Sequence, residues 1–120
     1  MLIFHITTSE SWKIAQNMSE YKTESLDIEG FIHASTITQV IKVANAFYHS
    51  YNSLIVLSIN PDKLLTDVRW ESPIHRDTQG SLIVNSEETF PHIYGVINLD
   101  AVVEILPLIK NNQGVWEYES

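Results

Sequence analysis

Hydrophobic and polar positions change period from segment to segment along this chain, and each change marks an element. Leu2-Ile3-Phe4-His5-Ile6 is an apolar run of strand length. On an extended backbone His5 shares a face with Ile3 and Thr7, opposite Leu2, Phe4 and Ile6. Thr7-Thr8-Ser9-Glu10 has the form of a capping box and predicts a short helix through Trp12, Ile14 and Ala15. Residues 18–30 are polar and acidic, with Glu20, Glu24, Asp27 and Glu29. They read as a solvated loop with at most one helical turn, ended by Gly30. Phe31-Ile32-His33-Ala34 predicts a second strand, with His33 on the same face as Phe31 and Ser35.

The clearest helical period follows. Ser35 or Thr36 can cap it, Gln39 lies three residues after Thr36, and Ile37, Val40, Ile41, Ala44, Phe47 and Tyr48 form an apolar stripe. Residues 53–59 predict a buried strand closed by the turn Asn60-Pro61-Asp62. Residues 68–71 read as a shorter strand stopped by Pro73, residues 75–80 as a turn, and residues 81–84 as another short strand. Phe90-Pro91-His92-Ile93-Tyr94-Gly95 reads as a constrained aromatic loop leading into a strand at 96–98. A short helix is expected at 100–105, then Pro107, and residues 114–118 predict an edge strand.

Strands thus alternate irregularly with two or three helices, in runs too short and uneven for a doubly wound parallel sheet. The expected fold class is α+β, with a mostly antiparallel or mixed, strongly bent sheet. Glycine and proline number four each and are scattered, so no linker divides the chain, and residues 1–120 read as a single domain.

Composition narrows the function. The chain is 44% hydrophobic and only 18% charged, enough apolar material for a core and too little charge for global disorder. Fifteen acids against seven bases leave a net charge of −8, which repels a polyphosphate backbone and anionic lipid; neither nucleic acid nor membrane is an expected partner. One phosphorylated ligand in a local basic pocket remains compatible with that charge. The absence of cysteine removes disulfides, thiol nucleophiles and thiolate metal sites. The longest unbroken apolar runs, Met1–Phe4 and Leu54–Leu57, are four residues, so the expectation is a cytoplasmic protein.

Three groups of residues carry candidate chemistry. His5, His33 and His92 fall on or beside strand-like segments. A single such histidine is ordinarily a hydrogen-bonded core residue, whereas several together point to a pocket. Arg69 precedes Trp70 and Glu71, and its planar fork suits phosphate or carboxylate; the plain alternative is an Arg69–Glu71 pair on a solvated edge. The 90–95 segment sets aromatics beside His92, which suits a flat ring, against the alternative of a packed turn with Tyr94 in the core. No two histidines have local metal-ligand spacing, and no metal is expected.

Gly30-Phe31-Ile32-His33-Ala34-Ser35, with His5, Trp12, Arg69-Trp70-Glu71 and the 90–95 segment, resembles the domain of unknown function 952 family over nearly the whole chain. That family's fold resembles the ADP-ribosyltransferase fold, a bent, split β-sandwich with two or three helices outside it. By that resemblance His5 stands where transferases hold the nicotinamide ribose. The 30–35 stretch is similar to the one lining their nicotinamide pocket, with Ile32 where many have a stacking Tyr. Transferases place a catalytic Glu at the start of a late strand; near that place stand Glu87 and Glu88, then His92, while Glu71 comes from an earlier element.

The resemblance implies a small-molecule or nucleotide ligand, with NAD or an ADP-ribose-containing compound as substrate rather than resident cofactor. Glu71, His33 and His92 are the candidate catalytic residues, and His5, Phe31, Ser35, Arg69 and Tyr94 the candidate ligand-binding residues. A histidine-based acid–base enzyme on another small phosphate or carboxylate, and a nucleotide-sensing module without turnover, are the alternatives.

Overall fold

The structure is a computed structural model that describes residues 1–72 and 88–119. Three α-helices and three antiparallel sheets make up the described residues. The first strand, β1 (Ile3–Thr7), is buried along its whole length. It pairs with β4 (Leu54–Ile59), which pairs with β8 (Val102–Lys110), which carries the edge strand β9 (Trp116–Tyr118). A second sheet has β6 (Phe90–Ile93) at its centre, between β3 (Ile32–His33) and β5 (Val68–Glu71). A two-residue ladder joins β2 (Glu20–Tyr21) to β7 (Ile97–Asn98). Beyond β3, Phe4 and Ser35 exchange backbone hydrogen bonds of 2.8 and 2.7 Å, so β1 is where the two larger sheets meet.

Helix α1 (Ser9–Met18) lays Trp12 and Ala15 on a core with Ile3, Leu57, Ile59 and Ile93, while Ile14 is exposed. Its cap is Thr8, whose hydroxyl accepts from Ser11 N, and not the expected Thr7–Glu10 box; Thr7 ends β1 and turns its side chain to Tyr21. The acidic stretch holds more order than its polarity implies. It contains β2, with Tyr21 buried, and α2 (Glu24–Glu29), ended by Gly30 at φ 90°.

Helix α3 (Ile37–Phe47) carries the capping box expected of Thr36 and Gln39. It covers the other face of β1 and β4, with Val40 and Ala44 fully buried beside Leu54, Val56, Leu108 and Trp116. The buried face is rotated from the expected stripe: Ile37, at the first helical position, is 49% exposed, and Val43 takes its place against the core. No helix among the described residues is long and apolar enough to cross a membrane.

Two expectations fail for one reason. Phe90–Ile93 is the central strand of its sheet and not a loop, and the helix expected at 100–105 is a 3₁₀ turn, Leu99–Ala101, followed by nine residues of β8. In both, proline suggested a break. Proline forbids only the hydrogen bond its missing N–H would donate, and in an antiparallel strand a residue's N–H and C=O point toward the same neighbour. Pro91 C=O accepts from Ala34 N, just past the end of β3, and Pro107 C=O lies 3.4 Å from Glu119 N, just past the end of β9. Each proline therefore aims its missing donor where the neighbouring ladder has stopped. The β-branched residues Val102, Val103, Ile105 and Ile109 then favour the strand. At the close of β6, a Cβ on Gly95 would collide with Thr66 Cγ2, so glycine is needed there for close approach. The turn and strand expected between 75 and 84 lie outside the described residues.

The rotated face of α3 sets a test. Val40→Asp places an unpaired carboxylate in the core and is expected to cost on the order of 4 kcal/mol in urea unfolding. Ile37→Asp, exposed and in the first helical turn, is expected to change stability by less than about 0.5 kcal/mol. Equal losses would show that Ile37 packs on the core together with Val40, as the unrotated stripe requires.

Candidate functional site

The β3–β6–β5 sheet separates its residues by parity. Ile32, Ile93 and Val68 stand in register on one face and enter the core. On the other, His33, His92 and Arg69 stand in register as a row across the three strands. Phe31, Tyr94 and Glu71 belong to the same face by alternation. Six of the eight residues expected from the sequence to form a site thus share one sheet face.

Aromatic stacking orders this face. Phe31 lies parallel to the His92 ring at 4.0 Å between centroids, with an interplanar angle of 17°. His33 stands nearly perpendicular to both, 4.9 Å from Phe31 at 71° and 5.5 Å from His92 at 83° between centroids. Arg69 sets its guanidinium 4.4 Å above the Tyr94 ring, a cation–π contact that holds the charge on this face.

Glu71 is the electrostatic centre. Tyr94 donates its hydroxyl to Oε1 at 2.6 Å, and His92 Nδ1 bonds the same oxygen at 2.8 Å. Oε2 makes no hydrogen bond among the described residues. The Tyr94 and His92 bonds hold the carboxyl below its usual range, so it is ionised at neutral pH. Burial lowers the pKa of His92 against the opposing pull of Glu71, and the ring is neutral under the same conditions. Neutral His92 must donate from Nδ1 to the carboxylate, which leaves Nε2 as an acceptor with no partner among the described residues. The hydrogen bond to Glu71, with burial and the carboxylate's charge, in turn raises the pKa of Tyr94.

His33 bonds Glu29 across one helical spacing, 3.1 Å from Nε2 to Oε1. Its backbone carbonyl accepts the Nδ1–H of His5 at 2.6 Å. His5 Nε2 lies 2.8 Å from the Tyr21 hydroxyl, which lies 2.8 Å from Thr7 Oγ1. Both nitrogens of His5 are thus engaged inside the protein, and burial lowers its pKa to about 4. His5 touches the row only through the backbone of β3. Ser35, the remaining candidate, is buried where its backbone pairs with Phe4. Glu88 is bonded by Lys42 Nζ at 2.7 Å and Gln39 Nε2 at 3.1 Å, where it ties α3 to the start of β6. Lys42 is therefore an ion-pair partner and not an idle surface residue. Glu87, His75 and Arg76 lie outside the described residues.

Residues 6–105 match the model of a family described as protein of unknown function (DUF952). The chain belongs to this family. No curated protein matches it. The crystal structure of protein CC0527 from Caulobacter crescentus is 23% identical to this DUF952 chain, with a TM-score of 0.77 over 98% of this chain and 94% of that one. The solution NMR structure of CC0527, at 21% identity, has a TM-score of 0.65 over 95% and 90%. At such identities the likeness is one of fold, a mixed α/β domain with antiparallel sheets.

Sequence reasoning passed over Tyr21 and Glu29, which lie in the stretch read as solvated loop. A signal existed for each: Tyr21 is the one aromatic residue among the polar positions 18–30, and Glu29 precedes His33 by four.

The buried His5 predicts how this DUF952 chain responds to acid. An unfolded histidine takes a proton near pH 6.5, whereas folded His5 refuses it until about pH 4. Below pH 6.5 the unfolded state binds the extra proton, so stability falls as pH drops through that window, by roughly 3 kcal/mol. His92, lowered in the same direction, adds to the loss. Urea unfolding from pH 7 to pH 4 is expected to show this decline, and His5→Gln a shallower one. A decline of unchanged slope in the variant would mean that His5 titrates normally.

Proposed function

We propose that the His33–His92–Arg69 face is the reactive end of a nucleotide-type site, and that the chain is ADP-ribosyltransferase-like in fold and chemistry, acting on NAD or an ADP-ribose-containing compound. The carrying observation is Glu71: an ionised carboxylate with one oxygen fixed by Tyr94 and His92, the other unengaged among the described residues, and Arg69 next but one on the same face.

Cleaving the bond between nicotinamide and ribose sends the bonding pair to the leaving nitrogen and leaves positive charge on the sugar. A carboxylate already fixed and ionised stabilises that charge more in the transition state than in the ground state. A neutral His92 can then take the proton of the attacking water or acceptor at Nε2. Arg69 supplies a planar cation for the pyrophosphate. His5 acts in this reading as a positioning residue that fixes β3 rather than touching ligand.

The same dyad supports a second reading. Glu71 orients His92 as carboxylates orient catalytic histidines elsewhere, which suits general acid–base work on a small phosphate or carboxylate held by Arg69.

The deciding measurement is nicotinamide release from NAD, with calorimetry for binding. Glu71→Gln is expected to retain affinity and lower turnover by about 100-fold or more. Arg69→Ala is expected to weaken binding by about 10-fold. Wild-type protein that neither binds nor cleaves millimolar NAD overturns the proposal. Turnover of a non-nucleotide phosphate or carboxylate that depends on His92 and Arg69 would establish the second reading.

A further inference from the structure

Two cavities lie on the far side of His33 from Arg69, and Glu71 and His92 line neither. One, of about 270 Å³, is rich in hydroxyls: Thr8, Ser11, Tyr21, Thr23 and Ser25 line it, with Glu24 its single carboxylate. The other, of about 290 Å³, has an apolar and aromatic lining of Val43, Phe47, Tyr48 and Tyr51 beside His33. They share His33, Tyr48 and Tyr51, so they adjoin. The Tyr48 and Tyr51 rings are in contact, 5.2 Å between centroids at 51°, and together form one aromatic wall.

The chemistry of the linings selects the ligand. Among the described residues neither lining contains Lys or Arg, and Glu24 adds a negative charge, so these residues offer a phosphate no counter-charge. Hydroxyl side chains both donate and accept, which matches a polyol, and a carboxylate can accept from two neighbouring sugar hydroxyls. Aromatic walls match a planar base, whose faces lose little on leaving water. A hydroxyl-lined half beside an aromatic half divides as a nucleoside divides, into pentose and base.

We infer that this double cavity is a nucleoside subsite, binding an uncharged ribosyl–base unit with the sugar among Thr23, Ser25 and Glu24 and the base against the aromatic wall that Tyr48 and Tyr51 form together. The inference rests on the nucleotide reading of the neighbouring face and adds a division to it: charge is read at Arg69, and the nucleoside is read beyond His33. His33 is the partition, lining both cavities while its ring also contacts His92. A ligand with both parts would pass it.

Adenosine and uridine probe the subsite without any phosphate. Tyr51 is 41% exposed, so Tyr51→Ala tests the base wall with little demand on the fold. By calorimetry, at least one nucleoside is expected to bind wild-type protein at submillimolar to millimolar concentration. Tyr51→Ala is expected to weaken it about 10-fold, and Arg69→Ala to leave it unchanged. ADP-ribose is expected to lose affinity in both variants. Failure of both nucleosides to bind at several millimolar overturns the inference, as does binding that Tyr51→Ala leaves intact or that inorganic pyrophosphate displaces. The two proposals fail separately. Tyr51-dependent nucleoside binding without NAD cleavage removes the reaction and keeps the subsite. Glu71-dependent NAD cleavage with an unchanged KM in Tyr51→Ala removes the subsite and keeps the reaction.

Discussion

His5 donates Nδ1–H to the carbonyl of His33, from a strand of one sheet to a strand of another, inside a core that keeps its ring neutral. The placement of β3, and with it His33 on the candidate face, descends from this bond and from the adjoining Phe4–Ser35 pair. β3 has only two residues and a two-pair ladder to β6. So short a strand has little hydrogen bonding of its own, and its position is set by what holds its carbonyls from outside. A carbonyl can only accept, so the bond also fixes the tautomer of His5 and leaves Nε2 without a proton beside the Tyr21 hydroxyl. One imidazole thereby connects β1, β2 and β3.

Two opposite uses of histidine stand side by side. His5 is closed off, both nitrogens spent on the protein, and its chemistry is positional. His92 is buried as well, yet among the described residues only Nδ1 is engaged, and the carboxylate that engages it is itself half-buried and charged. Phe31 stacks on the same ring and keeps it from turning. The arrangement leaves an imidazole with a defined orientation and one uncommitted lone pair, beside an arginine pinned on a tyrosine. In a chain with a net charge of −8, that guanidinium is a local exception to the surrounding field, and it favours a single anionic group over an extended polyanion.

Much of this was legible in the sequence, for identifiable reasons. Strand parity placed His33 with Phe31 before any coordinates did, and β5 matches residues 68–71 as read, because alternation on a pleated strand leaves little choice of face. The Thr36–Gln39 box set the start of α3 because capping is local chemistry. Tertiary effects were not legible. The face of α3 rotated because the core beneath it is built by Leu108 and Trp116, distant in the chain, and not by the helix's own stripe. The region around Tyr21 read as solvent-exposed because its order comes from His5 and β7. The convergence of Glu71 with His92 was not derivable either, since it depends on the register of β5 against β6. Proline misled at both 91 and 107, through a rule about residues that ignored direction.

Those two prolines bear on how reliably the molecule assembles. Across β3, β6 and β5 a shift of one residue would carry the imidazoles into the interior and deliver isoleucines to water. Such errors are most tempting where strands are short and few bonds vote for the right alignment. Pro91 withholds the donor that any extension of the β3 ladder would need, and Pro107 does the same beyond β9. A mispaired chain therefore meets a gap where a correct one meets a natural end. The missing N–H works as a ruler, measuring off how much strand each neighbour is allowed.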